Sequence, residues 1–256
     1  MHDGHPDHPH PHDEPGDHGG ITIDGSVALV TGANRGLGRV LAEHLLERGA
    51  RTVYATARRP ELVDLPGAEV LALDVTDHRQ VHEVAEVAGD VTLVVNNAGS
   101  NLWQDLVTGD LDQIRAEVET HLFGTLHVVR AFAPVLAAPG GGAIVNVLSA
   151  MSWFAYPGDN AYHVAKAAEW ALTNGVRLEL SRQGTQVTGV HLGLADTDMS
   201  AAVPGEKLRP EDVARLTLDA VEAGAWEVLL DDWSSTIKSS LAHDPRQLYE
   251  SLAGAV

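Results

Sequence analysis

The chain contains no cysteine, which excludes disulfides and thiolate chemistry and fits a reducing compartment. Positive charge is scarce as well: 17 Lys and Arg face 36 Asp and Glu, for a formal net charge of -19. Nucleic acid and anionic membrane are polyanions, so a surface this acidic argues against both as partners. Any phosphate ligand requires locally placed arginines. No apolar run approaches the roughly 20 residues that span a bilayer. The N-terminus is polar and acidic, unlike the basic-then-apolar start of a signal peptide. These absences predict a soluble, cytoplasmic protein.

What is present divides into a short tail and one regular domain. Residues 1–20 carry His2, His5, His8, His10, His12 and His18 among Asp, Glu, Pro and Gly, with almost no apolar side chains. Such a segment buries too little surface to offset its ordering entropy, so disorder is expected. Clustered imidazoles can ligate zinc, nickel or copper, but the irregular spacing defines no coordination geometry and no metal site is assigned. From Ile21 to the end, short apolar runs alternate with helical periodicity. Strands are expected at Val27–Thr31, Thr52–Thr56, Val70–Leu73, Val91–Val95, Ala143–Leu148, Gln186–Leu192 and Trp226–Leu230. Helices are expected over Leu37–Arg48, Leu111–Leu136 and Asn160–Ser181, the first closed by Gly49 as its C-cap. Uniformly apolar strands alternating with helices imply a doubly wound α/β domain of Rossmann type, a parallel seven-stranded sheet covered on both faces. Its ligands bind at the carboxyl ends of the strands.

The first strand runs into Thr31-Gly32-Ala33-Asn34-Arg35-Gly36-Leu37-Gly38. Glycines there allow a sharp turn and close approach of backbone to a pyrophosphate, and the helix that follows offers free N–H groups to it. An Asp or Glu ending the second strand would bind a free ribose 2′-hydroxyl. Instead the strand runs into Arg58 and Arg59, and guanidinium forks suit a 2′-phosphate. Tyr162 and Lys166 are four apart, which puts both side chains on one helix face. Free tyrosine is a poor acid–base catalyst at neutral pH, and a neighbouring ammonium is expected to lower its pKa towards the working range.

The spacing Thr-Gly-x-x-x-Gly-x-Gly, together with Asn96-Asn97-Ala98-Gly99, Asp74, and Ser149 thirteen residues before Tyr162-x-x-x-Lys166, resembles the short-chain dehydrogenase/reductase family over Val27–Met199. The resemblance implies an NADPH-dependent oxidoreductase moving hydride between NADP(H) and a small-molecule carbonyl or secondary alcohol, with ketone reduction the expected direction. It implies Tyr162 as proton donor or acceptor, Lys166 as its tuner and ribose ligand, and Ser149 as hydrogen-bond partner of the substrate oxygen. Cofactor contacts are implied for Gly32, Asn34, Arg35, Gly36, Leu37, Gly38 and Arg58, with Asp74 and Val75 at the adenine. Asn97, Ala98, Gly99, Leu194 and Thr197 complete that set with Tyr162 and Lys166. The family's fourth catalytic position, an asparagine three residues before a glycine, is His121 before Gly124 here. A histidine can preserve the backbone contribution, add a second pH dependence, or lose a proton relay. A homodimer or homotetramer is also implied.

The segment Met199–Arg209, where the family carries a substrate lid, is short. Trp103, Met151, Trp153, Phe154 and Tyr156 are candidate lining residues favouring an apolar or ring-bearing ketone, half of them expected to be core. Three other readings remain: an NADP-binding sensor or scaffold without catalysis, a metal-handling protein built on the His-rich tail, and a same-fold epimerase or lyase.

Overall fold

Burial decides where each apolar run goes. In the computed structural model, which describes residues 19–253, every residue of β1 (Val27–Thr31), β4 (Leu93–Asn96) and β5 (Ala143–Val147) is buried. The expectation for the His-rich tail lies outside the described residues, apart from Gly19 and Gly20. β2 (Thr52–Ala57) and β6 (Gln186–His191) are buried beyond their first residue, and β7 (Glu227–Leu229) is partly covered. With β3 at Glu69–Ala72, all pairings are parallel, in the order β3-β2-β1-β4-β5-β6-β7.

Successive side chains on a strand point to opposite faces, and each face has its own core. Ala28 and Val30 join Leu41 and Leu45 of α1 (Gly36–Glu47) and Val213 and Leu218 of α6 (Pro210–Glu222). Val27 and Leu29 join the other layer. There they meet α2 (His78–Val87) through Val81, α4 (Thr125–Ala137) through Phe132, and α5 (Asn160–Leu180) through Val176. Gly49 ends α1 as expected, with φ at +85° and Ala50 N–H donating to the Leu45 carbonyl at 3.0 Å. The described residues end with α7 (Asp232–Ser240) and α8 (Pro245–Ala253). Among the described residues no helix is long and apolar enough to cross a membrane.

Two expectations need correcting. β3 (Glu69–Ala72) is an edge strand whose apolar residues stay mostly exposed rather than covered on both faces, because only β2 flanks it. The helix expected over Leu111–Leu136 is broken into α3 (Leu111–Val118), a π-helical turn over Glu119–Gly124, and α4. A π turn adds a residue to the helical repeat and rotates the side chains around it. The packing there is tight: a Cβ on Gly124 would lie 2.7 Å from Val75 Cγ2.

The strand order reverses between β1 and β4, so a crevice opens at their carboxyl ends. The segments that follow β1, β4, β5 and β6 all emerge along that edge.

Candidate active site

Thr31, the last residue of β1, ties the glycine loop to the segment after β4. Its Oγ1 accepts from the Asn97 and Ala98 N–H groups, each at 3.0 Å. Asn97 Nδ2 donates to the carbonyls of Thr31 (3.0 Å) and Gly32 (3.3 Å), so the Asn97 side chain braces the loop. Gly32 has φ at +68°, and a Cβ there would lie 2.9 Å from Ala98 Cα. A Cβ on Gly38 would meet Asn97 Nδ2 at 2.3 Å and the Gly32 carbonyl at 2.4 Å. These glycines bring loop, helix and β4 segment into direct contact. Arg35, at the N-cap of α1, makes no side-chain capping bond, and no acidic residue lies in the first turn. The leading N–H groups of α1, flanked by half-buried Asn34 and Leu37, are thus free for an anion, which fits a pyrophosphate. Across the crevice, Thr197 Cγ2 comes within 3.5 Å of where a Gly36 Cβ would be.

Arg58 and Arg59 follow β2 and are exposed. Arg35, in the loop after β1, reaches the segment that follows β6. Its Nη1 pairs with Asp198 Oδ2 at 3.3 Å, with the two side chains 68% and 76% exposed. A pair this exposed contributes at most about 1 kcal/mol, so Arg35 exchanges partners easily. Asp74 lies two residues past β3, and its Oδ1 accepts from the Thr76 N–H (3.0 Å) and hydroxyl (2.7 Å). Val75 is buried, with its carbonyl accepting from His127 Nδ1 at 3.0 Å.

Tyr162 and Lys166 project from one face of α5, with Lys166 Nζ 5.8 Å from the centre of the Tyr162 ring. Lys166 is buried and donates to the Val147 carbonyl (2.8 Å) and to Glu169 Oε2 (2.7 Å). Burial is the largest influence on Tyr162 and pushes its phenol above the ordinary tyrosine value. Lys166 pulls it down, and Glu169, Asp159 and Glu117 push it further up. The net direction is therefore opposite to the lowering expected from the lysine alone. Ser149, buried after β5, caps the 3-10 turn Ala150–Ser152, its Oγ accepting from the Met151 N–H at 3.1 Å.

The π turn aims His121 into this site. Its ring stands edge-on to Tyr162, and its Nε2 donates to the Ser100 carbonyl at 2.8 Å. Nε2 is also 3.3 Å from Glu117 Oε2, while Nδ1, without a hydrogen-bond partner, lies 3.8 Å from Glu169 Oε2. Glu117 also accepts from the Ser100 hydroxyl (3.2 Å) and from the Leu102 N–H. Asp159 accepts from Asn101 Nδ2 at 2.8 Å, and burial raises its carboxyl to about 6. The three buried carboxylates, Glu117, Asp159 and Glu169, were not singled out by sequence. Their only signal is position: Glu117 four residues before His121, Glu169 three after Lys166, Asp159 at the start of α5.

Leu194 and Thr197 follow β6 at the same edge. The short lid is fastened: Leu208 N–H donates to the Leu194 carbonyl (2.8 Å) and Asp196 N–H to the Leu208 carbonyl (2.9 Å). Of the aromatic candidates, Trp153 belongs to the core. It stacks on His191 with ring centres 3.9 Å apart and meets Trp170 edge-on. Phe154 is also buried, with its ring against Trp233. Met151 is half-buried, whereas Trp103 and Tyr156 are exposed. Trp103 holds φ at +54°, a conformation bulky residues rarely adopt, with its N–H bonded to Asn101 Oδ1 at 3.0 Å.

Known proteins place this geometry. Residues 26–207 match the family model described as short chain dehydrogenase. An uncharacterized oxidoreductase of Staphylococcus aureus strain MW2 is 30% identical over 208 residues, covering 76% of this chain and 90% of that protein. A short chain dehydrogenase from Burkholderia cenocepacia J2315, solved in complex with NADP, superposes with a TM-score of 0.86 at 41% identity, over 91% of this chain and 99% of its own. A short chain dehydrogenase/reductase from Burkholderia phymatum, in complex with NAD, has a TM-score of 0.76 at 24% identity, over 88% and 98%, and shares the fold. By its sequence, its sheet order and the cradle after β1, the chain belongs to the short chain dehydrogenase family, oxidoreductases that work with a nicotinamide cofactor.

Proposed function

We propose that this protein is an NADPH-dependent carbonyl reductase, reversibly converting a ketone to a secondary alcohol. The observation that carries this reading is the Tyr162–Lys166 pair on one face of α5, at the carboxyl edge of the sheet beside buried Ser149. Tyr162 Oη gives its proton to the carbonyl oxygen, and Ser149 Oγ steadies that oxygen as charge develops. Lys166 fixes the electrostatics around the phenol and, when cofactor is bound, holds the nicotinamide ribose. The bound cofactor supplies the hydride to the carbonyl carbon, or receives it in the reverse direction.

Gly32, Gly36, Gly38 and the free N–H groups of α1 would hold the pyrophosphate, with Asn97 bracing the loop beneath them. Asp74, Val75, Ala98 and Gly99 would line the adenosine side, and Leu194 and Thr197 the nicotinamide side. The choice of NADP over NAD is supported by the missing carboxylate after β2, by exposed Arg58, and by the NADP bound to the Burkholderia cenocepacia relative. Arg35 would leave Asp198 for the 2′-phosphate. Exposed Trp103, Tyr156 and Met199 support an apolar or ring-bearing ketone as substrate. Exposed Phe123, Val164 and Leu178 support a homodimer or homotetramer.

Titrating NADPH and NADH against protein fluorescence tests the cofactor assignment. Tight NADPH binding that weakens about tenfold in Arg58→Ala, with NADH unaffected, is expected for loss of one charge-assisted phosphate contact. Equal or tighter NADH binding by the unaltered protein would overturn it.

A further inference from the structure

Asp159 stands at the N-cap of α5, where an aspartate ordinarily accepts the helix's own leading N–H groups. It makes no such capping bond. Buried, it turns its Oδ2 to Asn101 Nδ2 at 2.8 Å, a partner 58 residues away in sequence. The leading N–H of Ala161 goes to the same loop, donating to the Gln104 carbonyl at 2.9 Å.

Trp103 sits between those two contacts. Among the described residues it is the one non-glycine with a positive φ, at +54°. Such a backbone is costly for a bulky side chain and persists only where its surroundings over-determine it. Every neighbour of Trp103 is tied down. Asn101 Oδ1 accepts the Trp103 N–H at 3.0 Å, and the Glu117 carboxylate accepts the Leu102 N–H. Gln104 Nε2 donates to the Leu102 carbonyl (2.8 Å) and to Gln113 Oε1 (3.0 Å). The indole gives nothing back to the fold. It is 50% exposed, joins none of the three apolar cores and pairs with no other ring among the described residues. The segment also flanks the proton donor on two sides. Its Ser100 meets His121, whose ring lies against Tyr162, and its Gln104 meets Ala161, the residue before Tyr162.

We propose that Trp103 is the specificity-determining residue of this site, taking the ring of a ring-bearing ketone against its indole. Asn101 is then the positioning residue that holds it there, with Asp159 giving up its helix cap to anchor Asn101. This rests on the reductase reading above and names which substrates that site prefers. Departures from local rules are expected where function requires them, and here a forgone cap and a left-handed tryptophan converge on one side chain. Aromatic pairs gain from offset or edge-to-face contact beyond the area they bury, so an aryl group profits where a straight chain does not.

The test compares acetophenone with 2-pentanone in NADPH-dependent reduction and reads the ratio of their kcat/KM values. A change that merely unsettles the fold lowers both and leaves the ratio. The parent should favour acetophenone. Trp103→Gly should lower the ratio about tenfold, mostly through KM for acetophenone, and Trp103→Phe should keep most of it. Asn101→Ala should follow Trp103→Gly, although its side chain serves the loop. Asp159→Ala cuts the same anchor from the other end and stands in if Asn101→Ala does not fold. In urea unfolding Trp103→Gly should be at least as stable as the parent, because glycine relieves the positive φ. The proposal is overturned by a parent without preference for the aryl ketone, by an unmoved ratio in these variants, or by a Trp103→Gly stability loss that marks the indole as packing. Calorimetry separates it from the reading beneath it. 1-Phenylethanol titrated into the NADPH-loaded protein forms a complex that cannot turn over, and its affinity should fall about tenfold in Trp103→Gly. If it falls while no ketone is ever reduced, the reductase reading fails and the Trp103 assignment stands. Ketone reduction with an unmoved affinity means the reverse.

Discussion

The His121 ring meets the Tyr162 ring edge to face, with centres 5.3 Å apart and planes at 86°. Aromatic pairs favour this arrangement, and it sets the residue in place of the family's asparagine against the proposed proton donor. The ring is 1% exposed and spans the gap between Glu117 and Glu169. A Cβ on Gly99 would lie 2.6 Å from His121 Cε1, so the imidazole also fills the space that Gly99 leaves.

Replacing that ring with leucine strips donors from the Ser100 carbonyl and Glu117. His121→Leu should destabilise the protein by about 2 kcal/mol, the usual cost of buried polar groups left without partners. His121→Asn, which keeps a donor, should lose about half as much. Urea midpoints at constant slope measure both, and a leucine variant as stable as the parent would show that the network is not holding the pocket.

Asp159 gives a pH signature of stability. Burial puts its folded pKa at about 6, above the usual 3.8. Between those values the folded protein binds more protons than the unfolded chain, so this group lowers stability as pH rises through the window. Asp159→Asn removes the effect. The variant should gain roughly 2 kcal/mol relative to the parent as pH climbs from 4 to 6 and keep that gain at higher pH. Denaturant unfolding at acid and neutral pH would expose a flat difference, the contrary result.

Gly38→Ala tests the loop. The added carbon would fall 2.3 Å from Asn97 Nδ2 and 2.4 Å from the Gly32 carbonyl, so loop and helix must separate. A stability loss of about 2 kcal/mol is expected from overpacking, together with NADPH binding weakened at least tenfold. Calorimetric titration returning the parent affinity would contradict the cradle.

Much of this was legible in the sequence because its signals are local. The alternation of apolar strands and helices, Gly49 closing α1, and the order Ser149, Tyr162, Lys166 all depend on near neighbours. The break at Glu119–Gly124 was not legible, since a π turn keeps helical periodicity on either side of it. The Arg35–Asp198 pair joins residues 163 apart and has no sequence pattern. Glu117 and Glu169 carry no local signal of burial, which comes from packing of α3, the π turn and α4 against α5. For the same reason the lysine's effect on Tyr162 was overestimated: the carboxylates that oppose it come together only in the fold.

The most direct measurement follows NADPH consumption across a panel of apolar and ring-bearing ketones, with the parent and Tyr162→Phe side by side. The parent should oxidise NADPH in proportion to ketone reduced. Tyr162→Phe should lose about a thousandfold in kcat while still binding NADPH in the fluorescence titration. Equal turnover by the two proteins would contradict proton donation by Tyr162 and with it the proposed chemistry.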